Sequence, residues 1–414
     1  MKDKFLGLLV FISACTLNAQ QWHFLGFDNQ TIKAVAIHPE NPEIIYCAGT
    51  GLYKSIDGGA NWDTLHPYPG ISQIVFHPTA PDTVYFVMGC GSDSDGVFKS
   101  SDNGETWDIV AWVSDASCMT IPAMHPEIML VGSKYYGVYY SDDYGQTFSV
   151  LNDSLENIAT LCMTTTYPVS IPEDPMLNYI LGTYGGFYTF PDHLLFDPVD
   201  EYWHHTNTAT NCAARSVSVS EYGSRVFSAI SCGSYSDGIY YSDDQGTLWQ
   251  ACDYFLYTTS VLMNPVNPLI VYSGALHGGV KKSIDEGVNW TGMNENLGDS
   301  SIYCLGMSRA DTSKLYAGTE LGLWVYGNPS VVENFSTEND FIVYPNPFSE
   351  ILYIEPGNNI KEGMIEIFDS RGKRLYRSTF YNTGRISLSP DMPAGIYLIK
   401  LSGKNYISCQ RIIK

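Results

Sequence analysis

The sequence contains few charged residues, and basic ones are especially scarce. Charged residues make up 16% of the 414 positions, with 22 Lys and Arg against 44 Asp and Glu. Residues 332–414 hold 10 basic and 9 acidic residues, and the first 19 residues hold two Lys and one Asp. Residues 20–331 therefore hold the other 10 basic and 34 acidic residues, a net charge of −24. A surface that negative repels phosphate backbones and anionic headgroups, which excludes nucleic acid as a partner.

Long apolar runs are missing as well, and so is any cysteine pattern typical of a metal site. No run reaches the roughly 18 apolar residues of a membrane helix, so we predict no transmembrane segment. No Cys-x-x-Cys pair or zinc-like Cys/His spacing occurs, and we expect neither a metal nor a cofactor. We expect His204-His205 to form the end of a strand.

Turn-forming and strand-forming residues are abundant. The 37 Gly and 21 Pro favour many turns, and the 30 Tyr favour short strands between them. The hydrophobic fraction of 44% is that of a globular protein. The length suits two or three folded units.

The first residues have the pattern of a secretory signal peptide. Lys2 and Lys4 precede an apolar stretch, and the small residue Ala19 suits cleavage directly after it. A rival interpretation is that Ile12-Ser13-Ala14-Cys15 resembles a bacterial lipoprotein box, in which Cys15 would be lipidated and retained. Cleavage is favoured because no flexible polar tether follows Cys15. Export permits disulfides among the eight cysteines of residues 20–331, but their pairing cannot be read from spacing, and buried thiols remain an alternative.

An eight-residue pattern, Ser-x-Asp-x-Gly-x-x-aromatic, occurs five times, and each copy is termed a box. The first three copies are Ser55, Asp57, Gly59 and Trp62; Ser100, Asp102, Gly104 and Trp107; and Ser141, Asp143, Gly145 and Phe148. The last two are Ser242, Asp244, Gly246 and Trp249; and Ser283, Asp285, Gly287 and Trp290. Successive Asp positions are 45, 41, 101 and 41 residues apart. The third gap is about two periods, so it hides one repeat without a box.

A Gly-containing strand precedes each box, and the same strand recurs without a box at residues 183–190 and 319–326. This gives seven repeats of three or four short strands, the content of one propeller blade each. We therefore predict an all-β chain with a seven-bladed β-propeller followed by a small β-sandwich. The strand from Gln21 is expected to complete the last blade and remove its open edge. Trp203 is expected to replace the box aromatic in the fourth blade.

The residue types of the box predict a structural role for it. In a tight turn, Asp accepts backbone N–H groups two residues further on, and Ser does so more weakly. Gly takes the positive φ that closes the hairpin. The aromatic residue opens the next strand and is expected to pack between neighbouring sheets.

The repeat resembles that of the Asp-box (BNR) superfamily over nearly all of residues 21–327. Its members include sialidases, two-propeller xyloglucan hydrolases, sortilin-type receptors and photosystem II assembly factors. The resemblance implies that the box lies on the turn between the two outer strands, away from the ligand face. It implies no catalytic role here. A sialidase needs three substrate-binding arginines and an Arg-Ile-Pro segment. The propeller has only three arginines in all, Arg215, Arg225 and Arg309, and it has no Arg-Ile-Pro segment. The xyloglucan hydrolases need two propellers.

With the usual strand order, the ligand face is formed by the loop before each inner strand and the loop between the two middle strands. The candidate residues on these loops are Asp93, Asp95, Tyr135, Tyr136, Tyr184, Tyr235, Asp237 and His277. Aromatic rings stack on pyranose faces and carboxylates accept hydroxyl hydrogens, so this set suits a sugar. The alternative is that they are ordinary turn residues, since Asp-Gly is a common hairpin signal.

The end of the chain has alternating strands split by Gly turns, enough for a β-sandwich of about 75 residues. It resembles the C-terminal sorting domain of the type IX secretion system of Bacteroidetes. The resemblance rests on three segments: Tyr344-Pro345-Asn346-Pro347, Pro393-Ala394-Gly395-Ile396-Tyr397 and Arg411-Ile412-Ile413-Lys414. It implies the type IX machinery as a partner, and secretion or attachment to the outer surface of the outer membrane.

We therefore expect a signal peptide at residues 1–19, the propeller at 20–327, a linker at 328–340 and the sorting domain at 341–414. The leading hypothesis is an exported, non-enzymatic binding propeller that recognises a glycan, a peptide or a protein. It is favoured because no complete catalytic constellation is present. The alternative is a glycoside hydrolase that uses two carboxylates such as Asp93 and Asp237.

Overall fold

A computed structural model describes most of the chain after residue 19. The described residues are 20–67, 69–91, 94–166, 178–191, 203–206, 212–219, 225–232, 237–327, 341–356, 362–368, 374–381, 385–389, 392–393, 395–402 and 407–414. These residues form strands, turns and loops and include no helix, which agrees with the predicted all-β class. Contacts divide the chain into two compact units, residues 1–329 and 330–414.

The first unit contains seven four-stranded antiparallel sheets, the blades. Blades 1 to 3 are β2 (Ala34–Ile37), β3 (Ile45–Ala48), β4 (Leu52–Ser55) and β5 (Asp63–His66); β6 (Ile71–His77), β7 (Ala80–Met88), β8 (Gly96–Ser100) and β9 (Asp108–Trp112); and β10 (Ala116–Thr120), β11 (Met129–Ser133), β12 (Gly137–Ser141) and β13 (Ser149–Val150). Blades 4 and 5 are β14 (Thr160–Thr165), β15 (Asn178–Thr183), β16 (Gly186–Pro191) and β17 (His204–His205); and β18 (Ala213–Val219), β19 (Val226–Ser231), β20 (Gly238–Ser242) and β21 (Gln250–Tyr254). Blade 6 is β22 (Thr258–Met263), β23 (Val271–Ala275), β24 (Gly279–Ser283) and β25 (Thr291–Gly292), and blade 7 is β26 (Ile302–Gly306), β27 (Leu315–Thr319), β28 (Gly322–Gly327) and β1 (Gln21–Gly26).

The first strand of each blade is innermost and contacts the first strand of the next blade, and β26 of blade 7 contacts β2 of blade 1. The ring is therefore closed, and the predicted seven-bladed propeller is confirmed. The N-terminal strand β1 pairs with β28, as predicted, with Trp22 opposite Tyr326. Trp22 is buried, and its indole N–H donates to the carbonyl of Met293 at 2.6 Å.

The hydrophobic core lies between blades, because each blade packs one face against its neighbour. One core cluster joins Tyr46 of blade 1 to Phe86 of blade 2, and another joins Tyr85 of blade 2 to Met129 of blade 3. Each fully buried aromatic or aliphatic side chain contributes about 1.5–3 kcal/mol relative to exposure, so these interfaces hold the ring together.

All five boxes form the same hydrogen-bonded turn between the two outer strands of a blade. In the first box the Ser55 hydroxyl donates to the Asp57 carboxylate at 2.8 Å and accepts the N–H of Gly59 at 2.8 Å. The Asp57 carboxylate accepts the N–H of Asn61, four residues on, at 2.9 Å. The prediction that the Asp carboxylate accepts the amide two residues further on was wrong. The turn is wide enough to bring the amide four residues further on back to the carboxylate. The Gly residues have positive φ, as predicted, at 96° for Gly59.

The box aromatics pack between neighbouring blades, as predicted. Trp62 of blade 1, for example, packs against a cluster that contains Val325 of blade 7. In blade 4, Trp203 directly precedes β17, the same place that Trp62 has before β5. Trp203 is buried in a cluster with Val138 of blade 3. It therefore replaces the box aromatic, and His204-His205 forms the outer strand β17 as expected.

The second unit is a small β-sandwich of two antiparallel sheets. One sheet consists of β29 (Phe341–Tyr344), β30 (Leu352–Pro356) and β33 (Ile386–Leu388), and the other of β31 (Glu362–Phe368), β32 (Arg374–Tyr381), β34 (Ile396–Ser402) and β35 (Ile407–Ile413). Their shared core includes Phe341 and Ile354 of the first sheet and Ile365 and Ile399 of the second. The Asn346 side chain accepts the N–H of Ile413 at 2.8 Å, which joins the Tyr-Pro-Asn-Pro segment to the last strand.

Candidate functional site

The two ends of the propeller carry different loops. Strands alternate in direction within each blade, so the box turns lie at the same end as the turns between the first two strands. The loops between the two middle strands and the loops before each inner strand lie at the other end, which we call the loop face. The end with the box turns is called the box face.

Four of the predicted ligand-face residues present exposed side chains on the loop face. Tyr135 and Tyr136 lie in blade 3, Tyr184 in blade 4 and His277 in blade 6, each between the two middle strands. The His277 imidazole hydrogen bonds through Nδ1 to the Ser301 hydroxyl at 3.2 Å. The candidates Asp93 and Tyr235 lie outside the described residues.

Asp95 occupies a loop of the same face, but its carboxylate is buried, with 3% of the residue exposed. It accepts the N–H groups of Cys90 at 3.0 Å, Gly91 at 2.9 Å and Asp115 at 2.9 Å. Burial by itself would raise the pKa of this carboxyl, but the backbone donors outweigh it and lower the pKa to about 2. The carboxylate therefore holds two loops together instead of facing a ligand.

Asp237 of blade 5 has the same arrangement, with 1% of the residue exposed. Its carboxylate accepts the N–H groups of Cys232 and, at 2.9 Å, Tyr257, and the Ser231 hydroxyl donates to it at 3.3 Å. Both described acidic candidates are thus engaged with the loops that carry them. A carboxylate suits these positions because its two oxygens can accept several converging backbone donors at once and it carries no donor of its own.

Each acid begins a chain of backbone contacts that joins three loops. Asp115, whose N–H is bound to Asp95, accepts the N–H of Lys134 at 3.0 Å. In the same way Tyr257, whose N–H is bound to Asp237, accepts the N–H of Leu276 at 3.0 Å. Asp115 and Tyr257 both have positive φ, at 51° and 57°. These contacts fix the loops that carry the exposed aromatics.

The sequence contains a signal for this arrangement that the box pattern obscures. Cys-Gly-Ser-x-Ser-Asp-Gly begins at Cys90 and again at Cys232, 142 positions later. Asn152 and Asn294 are separated by the same 142 positions. The Asn152 side chain accepts the N–H of Val138 at 2.8 Å, and the Asn294 side chain accepts the N–H of Val280 at 2.7 Å. Blades 2 and 3 therefore correspond closely to blades 5 and 6.

A disulfide joins two loops of blade 5. Cys212, just before the inner strand β18, bonds to Cys232 between the two middle strands, with Cα atoms 4.5 Å apart. Cys118 and Cys162 are instead buried thiols in inner strands, and Cys304 is a partly buried one. Desolvation raises the pKa of Cys118 to about 11 and that of Cys304 to about 12. Both alternatives that spacing left open therefore occur, and the buried thiols are poor nucleophiles.

A cavity of about 270 Å³ opens at the centre of the loop face, between the inner strands. Seven of its lining residues occupy the same position, one per blade, at a bulge in six of the strands: Lys33, Ser72, Ser117, Leu161, Arg215, Thr259 and Tyr303. The Ser117 and Thr259 hydroxyls donate to strand carbonyls. Lys33 and Arg215 are exposed and form no ion pair with the described residues. The Arg215 guanidinium lies 5.7 Å from the centre of the Tyr184 ring.

Within the described ranges, no three His, Cys, Asp or Glu side chains lie close enough to hold a metal ion. The same ranges hold no helix with the length and hydropathy of a membrane span.

The C-terminal unit has a recognisable identity. Residues 342–414 match the family of secretion system C-terminal sorting domains. The predicted sorting domain is therefore confirmed. It indicates export through the type IX secretion system, with attachment to the cell surface or release. No sequence among the curated proteins is significantly similar to the chain.

Solved structures similar to the chain are β-propellers. The GH74 xyloglucanase from Xanthomonas campestris is 12% identical, with a TM-score of 0.58, over 95% of this chain and 68% of that one. YCF48 from Cyanidioschyzon merolae is 13% identical, with a TM-score of 0.51, over 75% of this chain and all of that one. A structure of YCF48 bound to D1 peptide is 14% identical, with a TM-score of 0.52, over 74% and 96%. At these identities the similarity shows the fold, a β-propeller, and not a function.

Proposed function

We propose that the chain is an exported binding protein whose propeller recognises a glycan, a peptide or a protein on the loop face. The observation that carries the proposal is the set of exposed tyrosines on that face, Tyr135, Tyr136 and Tyr184. Exposed aromatic side chains add contact area at little cost in conformational entropy, and they are enriched in binding surfaces.

The rigidity of the loops supports binding. The carboxylates of Asp95 and Asp237 accept backbone N–H groups from two loops each, and a disulfide ties a further loop in blade 5. Loops that are held before a ligand arrives lose less entropy on binding, which raises affinity. The same fold holds a ligand elsewhere, since one similar structure is YCF48 bound to D1 peptide.

The geometry favours binding over glycoside hydrolysis. A hydrolase needs two carboxyl groups that face the substrate. The carboxylates of Asp95 and Asp237 instead face backbone donors of their own loops and of the loops before the next inner strands. Replacing Asp237 by Asn is therefore expected to weaken the fold, and it is not expected to abolish a turnover reaction selectively.

The proposal includes the processing of the chain. Residues 1–19 are a signal peptide that is removed after Ala19, and residues 328–340 link the propeller to the sorting domain at 341–414. The type IX machinery would contact the sorting domain during export. Intact mass measurements on protein from the medium and from the cell surface would show which segments are removed, and whether Cys15 carries a lipid.

A binding screen tests the proposed function. The secreted protein is applied to glycan, peptide and surface-protein arrays, together with a variant that combines Tyr135→Ala, Tyr136→Ala and Tyr184→Ala. The control is Tyr144→Ala, which removes an equally exposed tyrosine from a box turn. The proposal expects a ligand whose binding is lost in the triple variant and kept in the control. Loss of binding in the control alone would contradict it.

A further inference from the structure

We propose that the loop face carries two equivalent aromatic subsites for one uncharged polysaccharide chain, an inference that rests on the proposed function. The first subsite consists of Trp112, Tyr135 and Tyr136, and the second of Tyr254, Tyr257 and His277. These groups are called platform 1 and platform 2. Trp112, Tyr254 and Tyr257 were not among the residues predicted from the sequence.

The two platforms have the same position in their blades. Trp112 is the last residue of β9 and pairs with Gly96, and Tyr254 is the last residue of β21 and pairs with Gly238. Both outer strands contain a bulge near this end. The strands approach so closely that a Cβ on Gly96 or Gly238 would lie 2.2 or 2.3 Å from a carbonyl oxygen of the outer strand. Glycine at these positions therefore sets the place of each aromatic residue.

The aromatic side chains at the ends of β9 and β21 are far more exposed than is usual for Trp and Tyr. Trp112 is 65% exposed and Tyr254 is 73% exposed. A single exposed apolar residue is common, but here each platform groups several aromatic rings on loops joined to one another. Asp95 and Asp237 hold those loops through the N–H groups 20 residues further on. Exposed aromatic surface on a fixed backbone marks a binding site.

The chemistry of the platforms fits a sugar ring. The flat face of a Trp or Tyr ring packs against the C–H face of a pyranose, and the Tyr hydroxyl can hydrogen bond to a sugar hydroxyl. Residues 20–331 carry a net charge of −24, which repels polyanionic polysaccharides. An uncharged polymer gains the stacking contacts without that repulsion.

The separation of the platforms favours a polymer over a small sugar. Platform 1 lies on blades 2 and 3 and platform 2 on blades 5 and 6, three blades apart, the greatest separation that a ring of seven allows. One chain of repeating sugars can contact both platforms. Once the first platform holds the chain, binding at the second becomes intramolecular, so the two weak sites give a stronger combined affinity.

Binding measurements on single and double variants test the inference. The secreted protein is titrated with uncharged polysaccharides (hydroxyethylcellulose, xylan, galactomannan and dextran) and with the polyuronates alginate and polygalacturonate. Trp112→Ala and Tyr254→Ala are each expected to weaken binding to an uncharged polymer about tenfold, and the double variant about a hundredfold or more. Oligosaccharides of increasing length should show a steep gain in affinity once they span both platforms. That gain should vanish in either single variant.

The controls separate failure of this inference from failure of the proposed function. Tyr144→Ala on the box face should retain polysaccharide binding, and thermal unfolding checks that every variant is folded. The inference is overturned if no uncharged polysaccharide binds, or if binding ignores both platforms. It is also overturned if only polyuronates bind and Arg215→Ala, at the central cavity, abolishes that binding. In the last case the proposed function survives, whereas binding confined to the box face would contradict both.

Discussion

The Asp95 carboxylate accepts the backbone N–H of Asp115, 20 positions further along the chain, at 2.9 Å. Asp237 and Tyr257 repeat this relationship at the same distance in blade 5. In both blades an acid that the sequence places beside a hairpin glycine is buried and joins the loop between the middle strands to the loop before the next inner strand. On the loop face, the buried carboxylates of Asp95 and Asp237 thus hold the loops in place, and aromatic rings on those loops are exposed to solvent.

Replacing either acid by Asn should destabilise the propeller. An Asn side chain keeps one acceptor oxygen but places an amide donor among backbone N–H groups, which leaves buried donors without an acceptor. We expect Asp95→Asn and Asp237→Asn each to lower the free energy of unfolding by about 2 kcal/mol, measured by urea denaturation. The exposed Asp142 is the matched control, and Asp142→Asn should cost less than about 0.5 kcal/mol. Equal effects at all three positions would contradict the structural role of Asp95 and Asp237.

The same contacts predict sensitivity to acid. The folded-state pKa of Asp95 is lowered to about 2, below the unfolded value of about 3.9. A carboxyl with a lowered folded pKa stabilises the fold above the unfolded pKa, and that contribution disappears as pH falls through the folded pKa. Stability should therefore decrease between about pH 4 and pH 2. In Asp95→Asn the decrease over this window should be smaller, and an unchanged pH profile would contradict the assignment.

How far the sequence predicts the fold follows from the kind of signal it contains. The boxes, their spacing and the strand from Gln21 predict seven blades and the closing strand, because turn residues and strand length are local properties. The burial of Asp95 and Asp237 could not be predicted in this way, since Asp-Gly is equally typical of an exposed hairpin turn. The position of Arg215 in the lining of the central cavity depends on a bulge in its inner strand, which hydrophobic periodicity does not reveal.

Trp22 should be essential for closing the ring. Its side chain is buried between blades and donates to the carbonyl of Met293, and it lies on the strand that completes blade 7. Trp22→Ala leaves a large cavity and should lower the stability by about 3–5 kcal/mol. The exposed Trp112 provides the control, because Trp112→Ala removes the same side chain from the surface. A similar loss of stability in both variants would argue against closure through β1.

The disulfide should stabilise blade 5. Cys212 and Cys232 are separated by 20 positions. A cross-link that closes a loop of that length lowers the conformational entropy of the unfolded chain, which stabilises the fold by about 3 kcal/mol. Cys212→Ser should lower the midpoint of thermal unfolding, and reductant should lower that of the wild type but not of the variant. Cys118→Ser, which alters a buried thiol in an inner strand, should remain sensitive to reductant. Insensitivity of the wild type would contradict the bridge.

The most direct test of the binding account is hydrogen–deuterium exchange of the secreted protein with and without the polysaccharide that binds it. The account predicts slower exchange on binding at residues 112–115 and 134–136 of platform 1 and at residues 254–257 of platform 2. The box turns at residues 141–148 and 283–290 should exchange at unchanged rates. Protection of the box turns, with no change at either platform, would contradict the assignment of the loop face as the binding surface.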